Sequence, residues 1–180
     1  MLFEPILPYV SGEARVKLVT ASWELADARD LRRLVFCREQ RIFTGDDGDA
    51  RDGSAVPLVA LAPIFGVADQ VVGTVRINEE APGHWSGSRL AVDPAWRRLG
   101  ALGGALIQLA VSTATARGAR RFTAHVQAAN APLFHRLHWR TIEVVDCHGR
   151  PHHFMEADLA HYPPFADGAR GFQVLIRRER

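Results

Sequence analysis

Two cysteines in 180 residues, Cys37 and Cys147, are too few for a disulfide framework. A reducing, cytoplasmic compartment is the simpler expectation. The opening MLFEPILPYVSGE has no basic n-region, carries Glu4 and is interrupted by Pro5 and Pro8, so no signal peptide is expected. The longest apolar run, VPLVALAPIFGVA, is too short to span a bilayer and is broken by Pro63, which argues against a membrane role. Charge of one sign is also scarce. The net charge is +2, so there is no global basic field for nucleic acid, and any anion site has to be local. Internal repeats and low-complexity linkers are absent, and one domain over 1–180 is expected.

What is present suits a folded core: 47% hydrophobic and 23% charged residues are ordinary for a globular protein, and 180 residues can bury a core without staples. RVKLVTA (15–21) predicts a first strand. Ser22 can cap a helix from Trp23 to about Gln40, on which Leu31, Leu34, Val35 and Arg38 recur at helical spacing. GDDGDARDG (45–53) predicts a polar loop. VPLVALAPIFG, QVVGTVRINEE and WSGSRLAV predict three strands, with a turn at Pro82-Gly83 before the last. Leu102, Leu106, Leu109, Ala110 and Thr113 mark a helix ending near Gly118. RRFTAHVQ alternates as a half-buried strand with His125 and Gln127 on its polar side. Asn130 and Pro132 open a further helix, and TIEVVDCHGRPHHFMEADL predicts a hairpin turning near Gly149. The order β-α-β-β-β-α-β-α-β-β implies an α/β or α+β layered fold around a mixed sheet.

The junction LAVDPAWRRLGALGGALIQLA concentrates the chemistry. A strand that ends at a glycine-rich helix start can build an anion site, because the first helical N–H groups have no partner within the helix and the peptide dipoles add partial positive charge. Glycine lets the backbone approach a phosphate, and Arg97 and Arg98 can add charge-assisted contacts. Alternatively, Gly103 and Gly104 serve close helix packing while the arginines lie in solvent. The stretch is neither a Walker A loop nor G-x-G-x-x-G.

RLAVDPAWRRLGALGGALI resembles the acyl-CoA pyrophosphate signature of the GNAT N-acetyltransferase superfamily: an apolar strand, a proline, Arg-x-x-Gly-x-Gly/Ala and a helix. Arg97, Arg98, Leu99, Gly100, Ala101, Leu102 and Gly103 occupy that loop, with Leu102 where the pattern has Gly or Ala. NAPLFHRLHW resembles the second family signature, with Asn130 at the position of the Asn that contacts pantetheine. LRRLVFCREQ with its aspartate-rich loop, and GRPHHFM, are similar to one subgroup; the closest match is the nitrogen-starvation N-acetyltransferase branch associated with nitrilase-type gene clusters. Acyl-homoserine-lactone synthases share an echo of the first element.

The resemblance implies a GNAT fold, a central mixed, mostly antiparallel sheet flanked by helices. It also implies acetyl-CoA or a related acyl-CoA as co-substrate and a small amine or amino-acid-like acceptor. Leu90, Ala91 and Val92 match the strand that borders the co-substrate, and Val92 is the expected oxyanion donor. For the base, His152 is favoured, then Glu39 and His125, ahead of Glu79 and Glu80, which end a strand near the expected acceptor cleft. Phe134 stands where many members carry a catalytic Tyr, so that acid is missing. Phe134 and Trp139 are expected in the core. A homodimer fits the family, but no residue pattern fixes an interface.

Two rivals follow from single features. Phe134 suggests a silent acyl-CoA-binding sensor or regulatory subunit, and RRLVFCREQ with the aspartates suggests an acyl-homoserine-lactone-synthase-like enzyme. The aspartates of 45–53 are read as a solvated loop or as a rim attracting a cationic amine, because the EF-hand positions are wrong for calcium. Cys147, His148, His152 and His153 crowd one hairpin without a second ligand pair, so no metal is expected.

Overall fold

A computed structural model describes residues 12–64, 67–97 and 101–176. Most of the N-terminal stretch judged against a leader lies outside these residues, as do Arg98, Leu99 and Gly100 of the glycine-rich loop. The strands are β1 (Glu13–Leu18), β2 (Val56–Ile64), β3 (Val67–Ala81), β4 (His84–Val92), β5 (Arg121–Gln127), β6 (Trp139–Cys147), β7 (Arg150–Ala157) and β8 (Phe172–Leu175). The α-helices are α1 (Ser22–Arg32), α2 (Pro94–Arg97), α3 (Ala101–Ala116) and α4 (Ala131–Arg136). The expected element order is present, with β8 added at the end.

The eight strands form one sheet in the order β6-β7-β5-β4-β3-β2-β1-β8. Among the described pairings only β4–β5 is parallel, as the crossover through α2 and α3 requires. That pairing is short, from His84↔Arg121 to Gly87↔Ala124. Beyond it the two strands part: β4 stays on β3, while β5 continues against β7 as far as Gln127↔His152. The sheet is thus two antiparallel leaves joined by four residue pairs and open along one end.

Helices cover both faces. On one face α3 packs Leu102, Leu106, Leu109 and Ala110 against Val72, Val75, Ile77, Trp85, Phe122, Val126 and Met155. It lies close because Gly73 of β3 has no side chain: a Cβ there would meet Leu106 at 2.9 Å. On the other face Ala28, Leu31, Val35 and Phe36 cover Val59, Leu61, Val71 and Ala91. Pleat alternation assigns Arg76, Asn78, Ser86, Ser88, Thr123, His125, Gln127 and His152 to this second face, and so β3, β4, β5 and β7 turn a polar surface to it.

Three local expectations shift. Ala21, not Ser22, is the N-cap of α1; the Glu24 carboxylate takes over the capping by accepting the amides of Thr20 (2.7 Å) and Ala21 (3.2 Å). The helix reaches Glu39 as expected but widens into a π-helical segment over Arg33–Glu39. The missed strand β8 follows Gly171 (φ +64°), where a Cβ would fall 1.9 Å from the Val16 carbonyl oxygen, so only glycine lets the chain turn back beside β1. Gly118 and Gly149 sit at the expected helix end and hairpin turn.

Candidate active site

The site is built where β4 and β5 part, beyond the last pair Gly87↔Ala124. Val92 stands opposite Gly73, and the following amide of Asp93 donates to the Val72 carbonyl at 2.9 Å. In an antiparallel ladder that makes Val92↔Gly73 a non-hydrogen-bonded pair, so the Val92 N–H points away from β3 and into the gap. Ala91, one residue earlier, is buried beneath the π-helical segment, and Leu90 and Val92 border the α3 core.

A bulge produces this phase. Thr74 pairs with Ala91 and Arg76 with Ser88, which sets Arg89 and Leu90 of β4 against Val75 alone. Arg89 takes φ +56°, a conformation that few residues other than glycine adopt.

On the far side of the gap, Asn130 caps α4 with its side chain exposed and making no capping hydrogen bond. Ala101 begins α3, Leu102 turns into the core at 1% exposure, and a Cβ at Gly103 or Gly104 would meet Leu133 or Leu137 only at ordinary contact, 3.8 or 3.9 Å. Packing inside the protein therefore does not select glycine at those two positions. The first turn of α3, the Val92 amide and the Asn130 amide group are suited to a long anionic thioester, and they fit acetyl-CoA.

Arg97 lies at the same end but is already engaged. Its Nε donates to the Val92 carbonyl (2.8 Å), and its two Nη atoms chelate the Glu39 carboxylate, Nη2 to Oε2 at 2.7 Å. Hydrogen bonding by Arg97 holds the Glu39 carboxyl below its ordinary value and raises the guanidinium above its own. Glu39 is thus tied up in an ion pair as the protein stands.

The histidine candidates meet on the polar face. His125 is exposed, one residue past the last β4–β5 pair, and stacks on Phe154 at 4.8 Å. Burial, then the nearby His152 and Arg51, push its pKa below the ordinary histidine value. His152 is buried, and its Nδ1 lies 2.9 Å from the Arg150 carbonyl oxygen. A carbonyl can only accept, so Nδ1 carries a proton, and in the neutral ring Nε2 would be the acceptor. Gln127 donates to Gln40 at 2.8 Å, tying β5 to the end of the π-helical segment. Glu79 caps the Gly83 turn, and Glu80 pairs with Arg51 and accepts from Ser86.

Phe134 is buried and meets Trp139 edge to face at 5.0 Å, both in the core as expected. Tyr162 does not replace the missing phenol: it is 1% exposed, accepts from the Trp139 indole at 2.9 Å and donates to the Leu137 carbonyl. An open cleft of about 570 Å³ borders Asp30, Arg33, Cys37, Arg38 and Gly45. Burial and the charges of Asp47 and Asp46 push the Cys37 thiol up, so it is no ready nucleophile.

The aspartate loop is largely exposed, as a solvated loop would be, but its carboxylates do not form an open acidic rim: they are paired with arginines. Asp47 is 2% exposed and accepts from Arg32 Nε (2.8 Å) and Arg89 Nε (2.9 Å). Asp49 chelates Arg76 at 2.8 and 2.6 Å, and Asp52 binds Arg32 at 2.7 and 3.1 Å. Three arginines thus neutralise three aspartates, and two of the arginines come from strands over 20 residues away in sequence. Asp46 stays exposed and caps Gly48. On the hairpin, His152 and His153 point to opposite faces, and among the described residues no group of three His, Cys, Asp or Glu is placed to hold a metal.

Residues 18–139 match the model of the acetyltransferase (GNAT) family, more than half of the chain. The chain belongs to this family. GNAT members use acetyl-CoA as acyl donor, and the protein is an acetyltransferase by membership. Among solved structures, the chain is similar to a Lactobacillus plantarum protein assigned as an N-acetyltransferase (22% identity, TM-score 0.70, 80% of this chain and 97% of that one). It is also similar to an acyl-CoA N-acyltransferase from Pseudomonas aeruginosa (22%, TM-score 0.65, 80% and 97%). A third likeness is to an aminoglycoside 6′-N-acetyltransferase complexed with coenzyme A (12%, TM-score 0.63, 78% and 94%). At these identities the likeness establishes the fold, a mixed sheet flanked by helices. No curated protein matches the sequence.

Proposed function

We propose that this GNAT acetyltransferase moves an acetyl or related acyl group from its CoA thioester to the nitrogen of a small amine or amino-acid-like acceptor. The observation that carries this is the parting of β4 and β5 with the Val92 N–H turned into the gap. The first turn of α3 and Asn130 hold the phosphate and pantetheine ends. Val92 N–H receives the charge that develops on the carbonyl oxygen, a donor of a kind whose loss costs about 2.7–4 kcal/mol.

His125 removes the amine proton. It is exposed beside the gap and, with its pKa depressed, is neutral at pH 7 and able to accept. His152 stands behind it with Nε2 as an acceptor. The thiolate departs without an acid, since a thiol of reference pKa about 8.5 is a tolerable leaving group. Phe134 is packed into the core, so that position supplies no phenol. The nitrogen-starvation branch, one catalytic domain over 1–180 and a cytoplasmic location belong to the same proposal; among the described residues no helix is long and apolar enough to cross a membrane.

Isothermal titration with CoA should show saturable binding, abolished by Gly100→Asp; a flat titration of the unaltered chain would remove the proposal. Turnover over an amine panel separates an enzyme from a silent sensor. His125→Gln should lower kcat by about 100-fold, within the usual range for a lost general base. It should also erase the acid limb of kcat/KM, which lies below pH 6.5 because burial depresses this imidazole. An unchanged limb would assign the base elsewhere.

A further inference from the structure

We propose that Arg89 is a positioning residue: anchored by the buried Asp47 and by Asp49 of the aspartate loop, its side chain holds the β4 bulge in the phase that aims the Val92 amide into the gap. The proposal rests on the acyltransfer reading above. The first residue of a bulge in this left-handed conformation is ordinarily glycine, because any Cβ is strained there. Here it is an arginine at φ +56°, so the surroundings must hold it.

They do so on every side. The Arg89 guanidinium donates through Nε to Asp47 Oδ2 (2.9 Å) and through Nη2 to the Asp47 carbonyl (2.9 Å), and it reaches Asp49 Oδ2 at 3.3 Å. Its Cζ stands 4.5 Å from the ring centre of Phe43 and 6.0 Å from that of Phe36, the latter in the π-helical segment. Asp47 is in turn fixed by Arg32 of α1, and Asp49 by Arg76 of β3. These anchors lie on the α1 face. Without the bulge, pleat alternation would set Arg89 opposite Val75 and turn it toward the α3 core, which has no partner for a guanidinium.

The same slip decides which amide is free. In an unbulged ladder continuing from Arg76↔Ser88, Ala91 would face Gly73 and Val92 would face Val72. Val92 would then turn its N–H to β3, and Ala91 would present its amide to the gap instead. The aspartate loop is therefore coupled to the reaction through one side chain, without touching either substrate.

The test uses the full chain, acetyl-CoA as donor and hydroxylamine as a small acceptor. An N–C bond forms, the C–S bond breaks, and the nitrogen proton leaves to solvent or the thiolate, giving hydroxamate and free CoA. Arg89→Ala should lower kcat at least tenfold with the KM for acetyl-CoA unchanged. Arg89→Gly, which adopts φ > 0 unaided, should stay within about threefold of the parent. Asp47→Asn should lower kcat in the parent chain and have no further effect when combined with Arg89→Gly.

Equal loss in Arg89→Gly and Arg89→Ala, equal retention in both, or an Asp47→Asn cost that persists beside Arg89→Gly would each overturn the proposal. If Arg89→Ala fails to fold, the pairing of Arg89→Gly with Asp47→Asn still decides. A parent chain that releases no thiol above the uncatalysed rate would sink the acyltransfer reading itself, a result distinct from any of these.

Discussion

At the scale of single residues, Arg97 and Glu39 show how context changes what a side chain can do. Each was a candidate alone, Arg97 for phosphate and Glu39 as a base. The structure joins them in a chelated pair over the Val92 carbonyl. Both side chains are more than one-third exposed, so the pair is worth only about 0–1 kcal/mol. In the proposed CoA site the phosphates would compete with Glu39 for the same guanidinium. Glu39→Gln should accordingly tighten CoA by about two- to fivefold, since 1.4 kcal/mol is tenfold; titration calorimetry would show it. A weaker Kd would mean that Glu39 supports the CoA site.

At the scale of elements, β3, β4 and α3 interlock through two departures from regular strand geometry. One is the β4 bulge, and the other is the bare backbone of Gly73, on which Leu106 rests. Gly73→Val should push α3 outward and destabilise by about 1–3 kcal/mol, as overpacking of a tight core does. Urea unfolding would measure it through the midpoint, and the misplaced first turn of α3 should weaken CoA as well. An unchanged midpoint would mean that the helix seats elsewhere.

For the whole molecule, the arginine–aspartate network is the main electrostatic joint between α1, the 45–53 loop, β3 and β4. Hydrogen bonds from Arg76 hold the Asp49 carboxyl below its ordinary range. Burial pushes Asp52 up, but hydrogen bonds from Arg32, Arg76 and the Asp49 amide outweigh it and leave that carboxyl strongly lowered. A depressed carboxyl stabilises the fold above its unfolded pKa, about 3.9, and loses that contribution as the pH falls through the folded value. His125, also depressed, binds its proton more readily when unfolded, so it too favours unfolding as the pH drops below 6.5. The urea midpoint should therefore decline mildly from pH 7 to 5 and steeply below 4. Asp52→Asn should lower it at pH 7 and flatten the acid slope; an acid slope unchanged by this substitution would place the titrating groups elsewhere.

The order of elements from β1 to β7, the strand and helix on either side of the glycine-rich stretch, and the family were legible in the sequence, because hydrophobic period, turn residues and loop motifs act over short spans of chain. It also marked Asn130, Phe134 and the histidines of β5 and β7. What the charges do emerged from the folded arrangement. The run GDDGDARD is polar to any local measure, yet Asp47 is buried because Arg32 and Arg89 converge on it from α1 and β4. Strand β8 was invisible for a similar reason: four residues gain their ladder from β1, over 150 positions earlier. The phase of the Val92 amide follows from a bulge that contains a left-handed arginine, and no pattern in the sequence distinguishes that residue from one in a regular strand. Such features come from pairing between distant segments, where long-range contact outweighs local preference.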